Sequence, residues 1–236
     1  KLDWHEHHFV LRSESETTIH SDSATYEIQY GHISRPSHEN TSWDHAKFEV
    51  CAHKYIDVSE YGYGLSLLND CKYGHSVRGG KIGLTLLTCG TYPNPNADQG
   101  KHTFTYSFVP HIGDFRRANV IGQAYLLNNP FIAVEATGGG VLPERYSLVR
   151  CAQSEVIIEA VKRAEDGRGI IIRAYESCGG STVATFDLGF SAKTIKEVNL
   201  MEEDEKEISD GGCCFKSAFA PFEIKTFYIE KYYKEE

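Results

Sequence analysis

An all-β protein is predicted, on two observations. Segments rich in β-branched and aromatic residues recur along almost the whole chain, and clusters of turn-forming residues separate many of them. Only one stretch reads as a helix. Strands dominating to this degree imply a sandwich.

In chain order, ATYEIQY (24–30) places Tyr26, Ile28 and Tyr30 on one face of the first of these strands. YGYGLSLL (61–68) alternates Tyr61, Tyr63, Leu65 and Leu67 with Gly62, Gly64, Ser66 and Leu68, the period of a strand packed on one face. KIGLTLLT (81–88) follows, and TFTYSFV (103–109) aligns Phe104, Tyr106 and Phe108. DFRRANVIGQAYLLNN (114–129) is the predicted helix, with Asp114 as its N-cap. EVIIEAV, GIIIRAYE, TVATFDL and FEIKTFYI are the later strands. The turns are YPNPNADQG, ATGGGVLP, EDGRG, SCGG and SDGG. The pattern loosens between Gly138 and Arg150, which predicts a larger domain over 1–145 and a smaller sandwich over 146–236. Beyond that boundary the strands are expected to shorten and the turns to tighten. The acidic run MEEDEKEISDGG (201–212) reads as a solvated loop.

The 236 residues are 41% hydrophobic and 24% charged, and a net charge of −9 argues against a nucleic-acid partner, whose phosphates require a basic surface. It does not argue against a neutral ligand such as a sugar. No apolar run approaches the roughly 20 residues of a membrane helix, so no membrane partner is expected. KLDWHEHHFV lacks the apolar centre of a signal peptide. There is no initiator Met, and Met201 is the single methionine, which suggests a piece of something longer. Seven cysteines form no C-x-x-C pair, and several lie in apolar runs such as FEVCAHK, where Cys51 would behave as a small hydrophobe. Reduced thiols in a reducing, cytoplasmic compartment are the expectation, with the sequon at Asn40-Thr41-Ser42 accidental.

The histidine-rich start, His5, His7 and His8, suggests metal, but on a strand only His5 and His7 would share a face, no third ligand is identifiable near them, and a solvated terminal segment fits better. NTSWDHAKFEVCAHKYIDVSE (40–60) collects Trp43, Asp44, His45, His53, Lys54, Tyr55, Asp57 and Glu60. Aromatics beside carboxylates suit sugar binding, and they equally suit a loop closing a sandwich edge. No serine elbow, phosphate loop or dinucleotide fingerprint occurs. Hydrolysis of a glycoside needs two carboxylates about 5 to 9.5 Å apart, which spacing within strands does not establish. The strand at 61–68 ends in Asn69, Asp70, Cys71, Lys72 and Tyr73. That cluster is either a turn stabilised by Asp70 bonding its own backbone or a set of side chains delivered to a site.

Longer phrases carry a resemblance. ATYEIQYGHISRPSHENTSWDHAKFEVCAHKYIDVSEYGYGLSLLNDCKYG (24–74) and LTLLTCGTYPNPNADQGKHTFTYSFVPHIGD (84–114) resemble the C-terminal β region of glycoside hydrolase family 38 α-mannosidases. VKRAEDGRGIIIRAYES, VNLMEEDE and FEIKTFYI look like its later strands, and the likeness is nearest to the cytosolic and bacterial branch. The resemblance implies a large galactose-mutarotase-like sandwich followed by a smaller one. It implies retaining hydrolysis of terminal α-mannosides, with zinc and an aspartate nucleophile in an N-terminal α/β barrel followed by a helical bundle. No barrel motif lies in these residues, so no catalytic or metal-binding residue is assigned here and zinc belongs to the absent N-terminal domain.

The implied partners are that barrel and helical domain, a mannose-containing oligosaccharide and, by analogy, further copies of the same chain. LLNDCKYG corresponds to a turn that approaches the sugar site, which makes Asn69, Asp70, Cys71 and Lys72 the substrate-binding candidates. Other branches carry Arg-Arg where Cys71-Lys72 stand, so a backbone contact is the expected role there. The stretch from Asn69 to Lys81 is also longer than most hairpin loops. Two alternatives remain: a free-standing carbohydrate-binding module, and an aldose epimerase-like protein needing a His and a Glu that converge on one concave sheet.

Overall fold

The computed structural model describes residues 1–135, 138–141 and 143–231, half of them in strands. They divide into two compact units, Lys1–Ile132 and Ala133–Glu236. Ala136, Thr137 and Leu142 of the ATGGGVLP turn lie outside the described residues.

In the first unit β1 (Leu2–Trp4), β2 (Leu11–Glu16), β3 (Ser23–Ile28) and β4 (Gly31–Pro36) lead into a one-turn helix, α1 (Ser42–Ala46). Next come β5 (Val50–Cys51), β6 (Tyr55–Glu60), β7 (Tyr63–Asn69), β8 (Gly74–Arg78) and β9 (Lys81–Leu87). β10 (Gly100–His102), β11 (Tyr106–Ile112) and a second helix, α2 (Val120–Asn128), follow. Antiparallel pairing gives a five-stranded sheet, β11-β7-β6-β3-β4, a four-stranded sheet, β2-β9-β8-β5, and a separate β1-β10 pair. Tyr26, Ile56 and Leu67 from the first sheet and Val77, Ile82 and Leu84 from the second share one buried cluster. The two sheets therefore pack face to face, as a sandwich requires.

The expectation of one packed face on β7 is corrected. Ser66, Leu67, Leu68 and Asn69 are buried in succession, because Leu67 faces the sandwich core while α2 packs against β6 and β7. Tyr55, opposite Leu68, meets Phe115 just ahead of that helix at a ring separation of 5.9 Å. The helix itself begins later than predicted, at Val120 after Asn119 with φ 53°. Asp114 instead heads a separate turn, accepting the Arg117 N–H at 3.0 Å while its carbonyl accepts that of Ala118 at 3.1 Å. Asn tolerates the left-handed region, which breaks the helical run between the two. Tyr30, also at positive φ, sits in the turn after β3 and does not extend its face.

Between β6, β7 and β11 lies a buried polar network. Asp57 accepts hydrogen bonds from Ser66 Oγ (2.6 Å) and Ser59 Oγ (2.7 Å), and His111 Nε2 is 2.7 Å from its Oδ1. The other ring nitrogen of His111 reaches the Gly113 carbonyl at 3.1 Å. Gly64 makes room for this: a Cβ there would stand 2.3 Å from His111 Cε1 and from Ser59 Oγ. Gly64→Ala should lower the unfolding free energy by about 1 to 3 kcal/mol through overpacking. Urea unfolding of the variant checks this, and an unchanged midpoint would mean the slot has slack.

The second unit contains β12 (Val149–Cys151), β13 (Val156–Arg163), β14 (Gly169–Glu176), β15 (Thr182–Val198), β16 (Lys206–Ser209), β17 (Gly212–Phe219) and β18 (Ile224–Lys231). EDGRG, SCGG and SDGG fall between consecutive strands as read. The strands lengthen here instead of shortening: β13, β14, β17 and β18 have 8 residues each and β15 has 17. β15 is long because it serves two half-sheets. Its first part pairs with β12 and β17, its second with β18 and β16, and the register shifts between Asp187 and Thr194. The sheet thereby folds around an aromatic core in which Phe186 stacks on Phe215 at 4.9 Å and meets Phe227 at 5.3 Å. Part of the acidic run is also corrected, since Lys206–Ser209 is a strand and not loop.

All seven cysteines are free. Cys51 is exposed, contrary to the apolar-run reading, because β5 is a two-residue strand at a sheet edge. No helix among the described residues is long and apolar enough to cross a membrane.

Candidate functional site: the turn from Asn69 to Tyr73

β7 and β8 belong to different sheets, and residues 70–73 carry the chain from one to the other. The long loop expected from Asn69 to Lys81 is thus a four-residue crossing, then β8, then a two-residue turn at Gly79-Gly80. Gly79 and Gly80 have φ of 55° and 73°, the left-handed pair that such hairpin turns require.

Asn69 forms the root of the crossing. Its Oδ1 accepts the backbone N–H groups of Cys71 (3.1 Å) and Lys72 (2.5 Å), so its side chain imitates a backbone turn. Its Nδ2 donates to the His53 carbonyl at 2.7 Å, and its own carbonyl accepts Asn128 Nδ2, from the end of α2, at 3.0 Å. Beneath it His75 on β8 is fully buried, with Nε2 3.3 Å from Asn69 Nδ2. Burial pushes the His75 pKa down to about 4, against a lesser opposing effect of the Tyr73 backbone. The ring is therefore neutral, and its Nε2 is the acceptor for Asn69.

Asp70 bonds beyond its own turn as well as within it. Both carboxylate oxygens lie 3.0 Å from the Thr105 N–H, and the Asp70 N–H donates to the Thr105 carbonyl at 3.1 Å. The residue clamps the turn to the chain entering β11. Partial burial opposes ionisation, but hydrogen bonds from Cys71 and Thr105 outweigh it and hold the carboxyl below its usual range. The Cys71 thiol is pushed up to about 11 by burial and by Asp70, so it is protonated at neutral pH and is no nucleophile. Lys72 Nζ lies 5.4 Å from the centre of the Phe104 ring.

The four predicted residues thus separate by role. Asn69 faces inward, while Asp70, Cys71 and half-buried Lys72 stand at the surface. Tyr73, absent from the predicted set, is exposed with its ring edge-on to His53 at 5.2 Å. It adjoins the predicted residues in sequence, and an aromatic beside a polar turn was the signal available. Thr105 gave no such signal, because most of its part is played by its backbone N–H and carbonyl.

The aromatic and acidic residues of 40–60 do not converge. Trp43 projects from α1, Tyr55 and Asp57 are buried, and Glu60 accepts the His20 N–H at 2.7 Å. Lys54 is held by Glu27 at 3.0 Å. Glu27 also stands 3.7 Å from His53, but it is buried and both its oxygens already bind Lys54. That is not the open His–Glu pair an epimerase would need. His5, His7 and His8 are exposed, and no group of three or more His, Cys, Asp or Glu among the described residues could hold a metal ion. The described residues of this chain do not fit a zinc site.

Residues 1–96 match the glycosyl hydrolases family 38 C-terminal domain, and residues 155–227 match the glycosyl hydrolases family 38 C-terminal beta sandwich domain. Alpha-mannosidase G of Dictyostelium discoideum is 42% identical over 231 residues, covering 96% of this chain and 21% of its own length. Alpha-mannosidase 2C1 of Homo sapiens is 40% identical over 234 residues, with 97% and 22% covered. The alpha-mannosidase of Saccharomyces cerevisiae is 35% identical over 215 residues, with 85% and 20% covered. The crystal structure of an alpha-mannosidase from Enterococcus faecalis superposes with a TM-score of 0.79 at 22% identity, over 94% of this chain and 26% of that one. That likeness shows the fold. The chain spans about a fifth of the length of the curated relatives it matches.

Proposed function

This chain belongs to the C-terminal β-sandwich region of glycosyl hydrolase family 38, and from that premise we propose that it is the non-catalytic C-terminal part of a retaining α-mannosidase acting on terminal α-mannosides. One observation carries the reading: proteins named as α-mannosidases match 96% and 97% of this chain, while the match takes up only 21% and 22% of theirs. The zinc-bearing barrel and the helical domain then belong to the remaining length, and a mannose-containing oligosaccharide is the substrate. The domain division at 1–145 and 146–236, self-association and a cytoplasmic location are parts of the same proposal. The location draws on seven free cysteines without a C-x-x-C pair.

Within that enzyme, residues 69–73 complete a wall of the sugar pocket. Asn69 is the positioning residue, since its amide is spent on the fold. The N–H groups of Asp70, Cys71 and Lys72 are bound within the fold, so the outward edge offers their carbonyls and the exposed ring of Tyr73, which suits a sugar's C–H face. Tyr106, opposite Asn69 on β11, is exposed, as are Phe131 and Ile132 shortly beyond Asn128. These apolar groups are the surface we assign to contact with the rest of the enzyme.

The intact enzyme should cleave an aryl α-mannoside and lose that activity to a chelator. The 236-residue chain by itself should give no turnover, with or without added zinc. Chelator-sensitive turnover by the isolated chain would overturn the non-catalytic assignment.

A further inference from the structure

A small cavity in the first unit lies among β4, α1 and β8, and its lining is unusually basic for a chain of net charge −9. Arg35, Lys47 and Arg78 converge on it, with His38 and Asp44 beside them and Tyr26 among its walls. Arg35 lies over the Tyr26 ring, its Cζ 4.8 Å from the centroid, and its Nη1 is buried without an acceptor among the described residues. A buried guanidinium N–H left in that state is costly. With no carboxylate paired to it among the described residues, the Arg35 charge stands unneutralised beside the cavity.

The charges favour an anion over water. Arg78 is held by an ion pair with Glu39 and by donating to the His45 carbonyl at 3.2 Å. Asp44 is occupied by its capping box, accepting the Thr41 N–H at 3.2 Å and its hydroxyl at 2.7 Å. Lys47 forms no ion pair among the described residues and is exposed. Three cations against two carboxylates leave a surplus of one positive charge with His38 neutral. Arg35 of β4 and Lys47 at the end of α1 bring donors to the cavity from two elements, which suits a ligand with several anionic oxygens. The cavity is about 20 Å³, above the roughly 10 to 15 Å³ that one water needs. It can receive the inner oxygens of such a group, with the remainder at the mouth beside Lys47 and His38.

We infer that this cavity binds a phosphate group, either as the free ion or as the monoester of a sugar. Titration calorimetry on the intact protein distinguishes the sources, using inorganic phosphate, mannose 6-phosphate and mannose in chloride buffer of fixed ionic strength. Saturable one-to-one binding of inorganic phosphate identifies the free ion, and binding of the ester alone identifies a phosphorylated sugar. In either case Arg35→Gln should weaken affinity by about tenfold or more, and Lys47→Gln by about threefold. Mannose should not depend on either residue. The exposed Lys47 can be changed without disturbing the core, so the test does not rest on Arg35→Gln folding. Absence of binding by both phosphate compounds, or affinity unchanged in Lys47→Gln, would overturn the site.

Discussion

Acidification from pH 6.5 to pH 4 should cost the first unit on the order of 3 kcal/mol through one side chain, His75. Its ordinary pKa of 6.5 falls to about 4 because the ring is buried, and a gap of that size corresponds to about 3 kcal/mol. Between those two values the unfolded chain binds a proton that the folded chain does not, so acid favours unfolding. The full contribution is present above pH 6.5, is lost through the window, and changes no further below pH 4. Local geometry agrees with the sign. Asn69 presents its NH₂ to His75 Nε2 at 3.3 Å and cannot turn over, because its Oδ1 already accepts the N–H groups of Cys71 and Lys72. A proton on Nε2 would set donor against donor beneath the turn. Urea unfolding across pH 4 to 7, on the wild type and on His75→Met, isolates this contribution from the other titrating groups. The variant should start less stable at pH 7 but fall less steeply. Parallel curves would remove His75 from the account.

The parts of the fold that local rules decide were legible in the sequence. GIIIRAYE is β14 from first residue to last, and EDGRG, SCGG and SDGG join the strands on either side of them. Their glycines at 167, 179, 211 and 212 all have positive φ, which is why the turn chemistry showed. What remained hidden depends on distant pairing. β1 and β10 are three residues each and exist only as partners of one another, 96 positions apart at Trp4 and Gly100, a distance no short window spans. β15 passes Gly189 without stopping because the Ser147 carbonyl and the Tyr146 ring close over it. At the candidate site the cluster itself was visible, but its division of labour was not. Either Asn or Asp can make a turn that bonds its own backbone. Here Asn69 does so, because β7 ends with that residue pointing inward, and Asp70 is left to reach Thr105.

Asp70→Ala in the intact enzyme should lower kcat/KM on the order of a hundredfold while costing about 1 kcal/mol of stability. The two magnitudes differ because the carboxylate supports the outer part of the turn and not its root. Asn69 keeps its bonds to Cys71, Lys72, His53 and Asn128 in the variant, and the Asp70 N–H still reaches the Thr105 carbonyl. What is lost is the carboxylate's hold on Cys71 and Thr105, chiefly its double approach to the Thr105 N–H. That freedom lets the edge we assign to the sugar pocket drift, and a displacement of about 1 Å suffices for a hundredfold loss when the geometry of reaction depends on it. Asp70→Asn separates positioning from contact. Its amide oxygen can still accept from Thr105, so activity should largely return if Asp70 acts through the turn. If the carboxylate itself touches the sugar, removing its charge should leave Asn as impaired as Ala. Melting temperature and kcat/KM must be read on the same preparations, with kcat and KM resolved, since a drifting wall weakens substrate binding as well as turnover. A variant that melts earlier yet keeps full kcat/KM would leave residues 69–73 as a turn between two sheets with no part in the pocket.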